Sequence, residues 1–183
     1  MGLFDQLKKS ILGGKSSSEP EVLAPAQPLE RRTRSRANPR PGTLALIVDD
    51  SPTIVAALTK ILQSAGFTTL EAHDAESAID IAREQVPNII FLDIVLPGMN
   101  GFAALRAIRR DVVLREIPVI MISGNEQATE QFFGTRIGAD DFMKKPFSRL
   151  EVFARVERLL NAQGIPCRIG PGAESDPAER AAG

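Results

Sequence analysis

Five side chains in this 183-residue sequence are of types and at places that could do chemistry together. An aspartate pair, Asp49-Asp50, closes the apolar run Leu44–Val48, and a third aspartate, Asp93, closes the run Ile89–Leu92. Ser123 ends a nearly unbroken β-branched run from Ile117, and Lys145 follows the short run Asp141–Lys144. An apolar run buried on both faces, ending in a carboxylate and followed by a Pro/Gly/Asn-rich loop such as FLDIVLPGMNG (91–101), places that carboxylate where parallel sheets open a crevice. If the strands ending in Asp49-Asp50 and Asp93 are neighbours, three carboxylates converge. Two of them about 4 Å apart repel by on the order of 4 kcal/mol at an effective dielectric near 20, so three require a counter-charge. Hard oxygen ligands on loops suit Mg²⁺, or Mn²⁺. Such an ion would let an anionic phosphoryl donor approach Asp93, and an aspartate can form a covalent acyl phosphate. Lys145 is the candidate second cation, and Ser123 offers a hydroxyl to the same crevice.

The elements that must position these groups alternate regularly. Strands are expected at Leu44–Val48, Phe67–Ala72, Ile89–Asp93, Ile117–Ile122 and Asp141–Lys144. Helices are expected from Pro52 to Ala65, stopped by Gly66; over Ala75–Gln85, ended before Pro87; over Gly101–Arg110; over Glu126–Ile137, capped by Gly138; and over Leu150–Asn161. Strands alternating with helices through short connections demand a parallel sheet covered on both faces. With right-handed crossovers the economical fold class is α/β, a flavodoxin-like doubly wound five-stranded sheet of order 2-1-3-4-5.

Composition bounds the rest. The chain is 43% hydrophobic, enough for a core, and its apolar residues concentrate between Leu44 and Leu160, about the size of one domain. Three regions follow: 1–42, 43–161 and 162–183. Within 1–42, LFDQLKKSIL (3–12) has the pattern of a short amphipathic helix. At ten residues it needs a surface to lie on, be it a partner, a membrane or the domain itself. A linker rich in Gly, Ser, Pro and Arg follows, too poor in large apolar residues to offset its ordering entropy. The 162–183 tail reads the same way. Net charge is −1, with eight basic and four acidic residues in 1–42 (+4) and −5 in the remainder. That balance argues against a protein that coats nucleic acid, and no sequence-specific nucleic-acid partner is expected. A single cysteine, Cys167, excludes an intrachain disulfide and any cysteine metal cluster. No membrane-span-length apolar run and no secretory-signal pattern occur, so a cytoplasmic location is expected.

Together, Asp49-Asp50, the loop DIVLPGMNG (93–101), PVIMIS (118–123) and GADDFMKKPF (138–147) resemble the receiver domain of two-component response regulators over about residues 44–161. The resemblance implies that Asp93 accepts a phosphoryl group from a histidine kinase or phosphotransfer protein. It implies that Asp50, helped by Asp49, ligates Mg²⁺ together with Asp93 and the Val95 carbonyl. Ser123 and Lys145 would receive the phosphoryl oxygens, and Phe142 would be an aromatic switch that turns inward as Ser123 moves. Val95 and Asn125 stand at the two positions that tune dephosphorylation in this family. A downstream output protein would read the face made by the fourth helix, fifth strand and fifth helix. Gln131–Ala139 further resembles stand-alone regulators of pilus-driven twitching and chemotaxis-like systems.

Only 23 residues follow Leu160, too few for a DNA-binding or enzymatic output domain, so the expected protein is a single-domain regulator rather than an enzyme. A phosphorelay intermediate is the nearest alternative, and a scaffold that never turns over phosphate is another. A metal-dependent phosphohydrolase with an aspartyl nucleophile would need an acid/base aspartate two residues after Asp93, where Val95 stands. His73, the sole histidine, is expected in a surface or capping role, and Asp49 or Asp50 could merely cap the first helix.

Overall fold

A computed structural model describes residues 39–134 and 138–168 of the chain. The expected amphipathic segment 3–12, the linker through residue 38, the end of the expected fourth helix at 135–137 and the tail from 169 lie outside the described residues.

Ten elements alternate: β1 (Leu44–Val48), α1 (Pro52–Gln63), β2 (Thr68–Ala72), α2 (Ala75–Gln85), β3 (Ile89–Asp93), α3 (Gly101–Arg110), β4 (Val119–Ser123), α4 (Glu126–Gly134), β5 (Asp141–Lys144) and α5 (Arg149–Leu159). The sheet is wholly parallel and runs β2-β1-β3-β4-β5, the order expected from the alternation of elements. Strands β3 and β4 are buried at every residue, whereas the edge strands β2 and β5 carry exposed or half-buried positions. Central strands covered on both sides must be apolar throughout, and edge strands need not be.

Alternation along the strands divides the core. Leu46, Val48, Ile90, Leu92, Val119, Met121 and Phe142 face α2 and α3, joined by Phe132 of α4. Their neighbours Ala45, Ile47, Ile89, Phe91, Ile120, Ile122 and Met143 face Val55, Leu58 and Leu62 of α1 and Val152, Val156 and Leu159 of α5. Each large apolar side chain withdrawn from water contributes about 1.5–3 kcal/mol. These two layers therefore fix where the carboxyl ends of the strands lie.

Capping sets the helix starts. Side chains of Asp74, Asn100 and Ser148 accept the backbone N–H groups of Ser77, Ala103 and Glu151, which satisfies donors that have no partner inside the helix. Several boundaries differ from the sequence expectation by one or two residues, among them the end of α1 at Gln63 rather than Ala65. β2 starts at Thr68 rather than Phe67, whose side chain is instead buried in the core. β4 starts at Val119 rather than Ile117, because Pro118 has no N–H to donate and contributes only its carbonyl, to Ile90 N. Finally, α5 stops at Leu159: Leu160 turns extended and bridges to Pro166, while Asn161 Oδ1 accepts from Gln163 N and Ile165 N. The stretch 162–168, expected to be part of a structureless tail, is thus tied back onto the domain by local amide hydrogen bonds and by the burial of Pro166. Among the described residues no helix is long and apolar enough to cross a membrane.

Candidate functional site

Strand register brings the candidate residues together. β1 pairs with β3 and β3 with β4, with Val48 opposite Leu92 and Asp93 opposite Ile122, so Asp49, Asp93 and Ser123 surround one end of the sheet. Lys145 lies one residue beyond β5, where Ser123 pairs with Lys144, and its N–H donates to Ser123 O at 2.8 Å. The Lys145-Pro146 peptide bond is cis.

At that end the Lys145 ammonium lies between two carboxylates, with Nζ 2.6 Å from Asp49 Oδ2 and 2.8 Å from Asp93 Oδ2. Asp49, Asp93 and Ser123 are buried, and Asp50 is exposed. One carboxylate oxygen from each of Asp49, Asp50 and Asp93 lies within 4.8 Å of the others. Asp49 divides its work. Its Oδ1 accepts from Ser51 N at 3.0 Å, which supports the start of α1, while Oδ2 is buried against the Lys145 ammonium. The expectation that Asp49 could merely cap a helix therefore covers one of its oxygens only.

Burial is the main cause that pushes the Asp93 carboxyl above its ordinary value; the Lys145 hydrogen bond and charge oppose it, and the charge of Asp49 adds to it. For Lys145, burial works against the charged form, yet hydrogen bonds and charges from Asp49 and Asp93 together raise its ammonium above the usual value. Three carboxylates and one ammonium sum to −2, so the cluster favours any added positive charge. A divalent cation on hard oxygen ligands answers that excess, and three carboxylate oxygens gathered within 4.8 Å of one another are a donor set that fits Mg²⁺.

The loop after Asp93 is held tightly. Val95 N donates to Asp93 Oδ1 at 3.3 Å, and Gly101 N donates to Ile94 O at 2.9 Å. A Cβ at Gly101 would lie 2.1 Å from Asp93 O, so only glycine lets α3 start against the end of β3. The Val95 side chain is 52% exposed. It lines a groove of about 290 Å³ together with Leu96, Asn100, Phe102 and Asn125. The groove thus puts Val95 and Asn125, the two expected tuning positions, on one surface beside Asp93.

On the other flank, Ser123 Oγ accepts from Asn125 N at 3.1 Å, and Asn125 O accepts from Thr129 at the start of α4. Phe142 is only 8% exposed and stacks on Phe132 of α4, with ring centroids 4.8 Å apart. The ring expected to turn inward is inward here. Two participants escaped the sequence reading. Phe132 had no signal beyond helical spacing, and His73, exposed as expected, places Nδ1 3.2 Å from Asp49 O, a contact that only the β1–β2 register creates.

Comparison with known proteins agrees with this geometry. The response regulator receiver domain family matches residues 45–157. The chain belongs to this family. This receiver domain is 36% identical over 115 residues to protein PilH of Pseudomonas aeruginosa, a match that covers 63% of the chain and 95% of PilH. It is 35% identical over 138 residues to the phosphate regulon transcriptional regulatory protein PhoB of the same species, covering 75% of the chain but 58% of PhoB. Among solved structures, chemotaxis protein CheY4 of Vibrio cholerae superposes with a TM-score of 0.60 at 27% identity, covering 65% of the chain and 99% of CheY4. The receiver domain of sensor histidine kinase PA1611 from Pseudomonas aeruginosa, solved with a magnesium ion coordinated in its active site cleft, gives 0.58 at 29% identity, covering 64% of the chain and 95% of that one.

The shift of Asp93 makes a pH-dependent prediction. Because its folded carboxyl lies above the ordinary 3.8, the folded receiver binds this proton more readily than the unfolded chain. Asp93 ionisation therefore costs stability as pH rises from about 3.8 through the folded value, and the cost persists at neutral pH. Without Mg²⁺, Asp93→Asn should raise the urea midpoint at pH 7 and leave it unchanged near pH 3.5. A midpoint lowered at pH 7 would contradict the assignment.

Proposed function

We propose that this receiver is a phosphorylation-dependent signalling switch with Asp93 as phosphoacceptor. The observation that carries the reading is the Lys145 ammonium held 2.8 Å from Asp93 Oδ2 inside a buried, oxygen-lined acidic cluster. In transfer from a phosphohistidine, the P–N bond breaks with its electron pair returning to the imidazole, and a new P–O bond forms to an Asp93 carboxylate oxygen. A histidine kinase or phosphotransfer protein is the donor.

Asp49, Asp50, Asp93 and the Val95 carbonyl would hold Mg²⁺, which when bound offsets the negative charge gathered on the phosphoryl oxygens. Lys145 neutralises a second oxygen, and the Ser123 hydroxyl donates to a third. Replacing the single charge of the Asp93 carboxylate by an acyl phosphate carrying roughly two, with its three phosphoryl oxygens, beside Lys145 and Ser123 redistributes two arrangements of the same segment. The Asn125 hydrogen bond to Ser123 Oγ and the Phe132–Phe142 stack are the physical links by which that change reaches α4 and β5. A partner protein reads the α4–β5–α5 face.

Support for a stand-alone regulator in pilus- or chemotaxis-type motility comes from PilH and CheY4, nearly all of whose length the receiver alone matches. A cytoplasmic setting accords with a kinase donor and the single cysteine. A phosphohydrolase is disfavoured by Val95, whose side chain cannot act as acid or base.

Incubation with Mg²⁺ and acetyl phosphate or phosphoramidate, followed by intact mass, should show one phosphoryl adduct that is absent in Asp93→Asn. An adduct that survives the substitution would place the acceptor elsewhere, and no adduct under any condition would favour a non-phosphorylated scaffold. Lifetime is a separate prediction. The Val95 side chain offers the hydrolytic water no hydrogen bond, whereas an amide there would add one worth about 1 kcal/mol, or roughly fivefold in rate. Val95→Asn should therefore shorten the half-life of the phosphorylated protein about fivefold, measured by loss of the adduct over time. An unchanged or longer half-life would refute this role.

A further inference from the structure

The matched family region ends at residue 157, yet the chain continues in ordered structure through Arg168. After α5, Asn161 turns the chain, Leu160 bridges to Pro166, and Cys167 N donates to Leu159 O at 2.8 Å. Gly164 O accepts from Arg40 N at 2.9 Å, so this strap is also tied to the segment that leads into β1. Its last described residue reaches across the domain. Arg168 Nε donates to Asp140 Oδ1 at 3.1 Å, Nη1 to Arg115 O at 3.1 Å and Nη2 to Gly138 O at 3.4 Å.

Asp140 lies one residue before β5, and its side chain is 1% exposed. Its other oxygen is held by Arg109 of α3 at 2.7 Å and by Val119 N at 2.8 Å. Arg109 also donates to Gly138 O, Arg115 O and Ile117 O, so both guanidinium groups bind Gly138 O and Arg115 O. Burial, opposed by Asp140 and reinforced by Arg168, pulls Arg109 down to about 10, and it remains charged at neutral pH. Two cations on one buried carboxylate form charge-assisted bonds, which are about twice as strong as neutral ones. A buried carboxylate that loses one of these partners is left under-compensated.

The clamp closes on the connection from α4 to β5, two residues before Phe142 and five before Lys145. We infer that Arg168, delivered by the 160–168 strap, is a positioning residue that holds the start of β5 in the arrangement from which Lys145 and Phe142 respond at the phosphoacceptor. The inference rests on the switch reading given above. Without Arg168, Asp140 keeps Arg109 alone, and the α4–β5 connection opens locally more often. A phosphoryl group must then also order that segment, and it binds more weakly by the fraction of molecules in which the segment is out of place. By reciprocity, anything that draws the chain beyond 168 away from the domain weakens the same site.

The test compares the full-length protein with Arg168→Ala and Arg168→Lys by amide hydrogen exchange, and by calorimetric titration with beryllofluoride, a phosphoryl mimic, in Mg²⁺. Arg168→Ala should accelerate exchange over residues 138–143 tenfold or more while leaving 44–48 unchanged, and should weaken beryllofluoride at least threefold. Lysine, which keeps the charge but gathers its donors on one nitrogen in place of a planar fork of three, should fall between. No change at 138–143, or an equal acceleration at 44–48, would overturn the clamp. Unchanged beryllofluoride affinity in Arg168→Ala would overturn its link to the phosphoacceptor. If beryllofluoride fails to bind the unsubstituted protein, the phosphoacceptor reading and this link fail together, and exchange alone decides whether the clamp exists.

Discussion

The molecule is organised around an electrostatic imbalance at one end of its sheet. Lys145 sits between Asp49 and Asp93 at ion-pair distance, with Asp50 close by, and the four formal charges leave an excess of two negatives. An arrangement this unfavourable persists only because its members are fixed independently of one another. The apolar strands β1 and β3 hold the aspartates, and the β4–β5 pairing, through Lys145 N on Ser123 O, holds the lysine. Hydrophobic burial on two faces of the sheet thus sustains a charge pattern that favours added positive charge.

The same constraint explains why the surrounding backbone is so closely specified. Gly101 lets α3 begin against the carbonyl of Asp93, so the loop from 94 to 100 has little room to relax. The flank toward β5 is different. There the links are a serine hydroxyl on the Asn125 N–H, a ring stack between α4 and β5, and arginine clamps at the base of β5. These are discrete side-chain links, whereas the flank toward α3 is fixed by backbone lying against backbone.

Much of this was legible in the residues. The unbroken apolar run before Asp93 declares a central strand, and right-handed crossovers leave one economical strand order, which brings Asp49, Asp50 and Asp93 together. Lys145 and Ser123 followed from the same topology. The strap was not legible, because Asn161, Gln163 and Ile165 are joined through amides and carbonyls that leave no hydrophobic period to read. Asp140 and Asp141 look alike in sequence, yet Asp140 is held by Arg109 and Arg168, while Asp141 is held by Arg155 and Arg158 of α5. Guanidinium partners 14 to 31 residues away carry no local signal. Likewise Ile117 reads as strand by composition, and only the missing N–H of Pro118 moves the boundary of β4.

If the charge imbalance is the central feature, a divalent cation should stabilise the fold through the acidic cluster itself. The most direct measurement is urea unfolding of the intact protein and of Asp50→Asn across a series of Mg²⁺ concentrations at constant ionic strength. Asp50 is exposed, so its substitution leaves the core untouched. The unsubstituted protein should gain stability with increasing Mg²⁺, reaching about 2.7 kcal/mol at a hundredfold excess over its dissociation constant, and Asp50→Asn should gain little over the same range. Equal gains in both proteins, or none in either, would contradict the account.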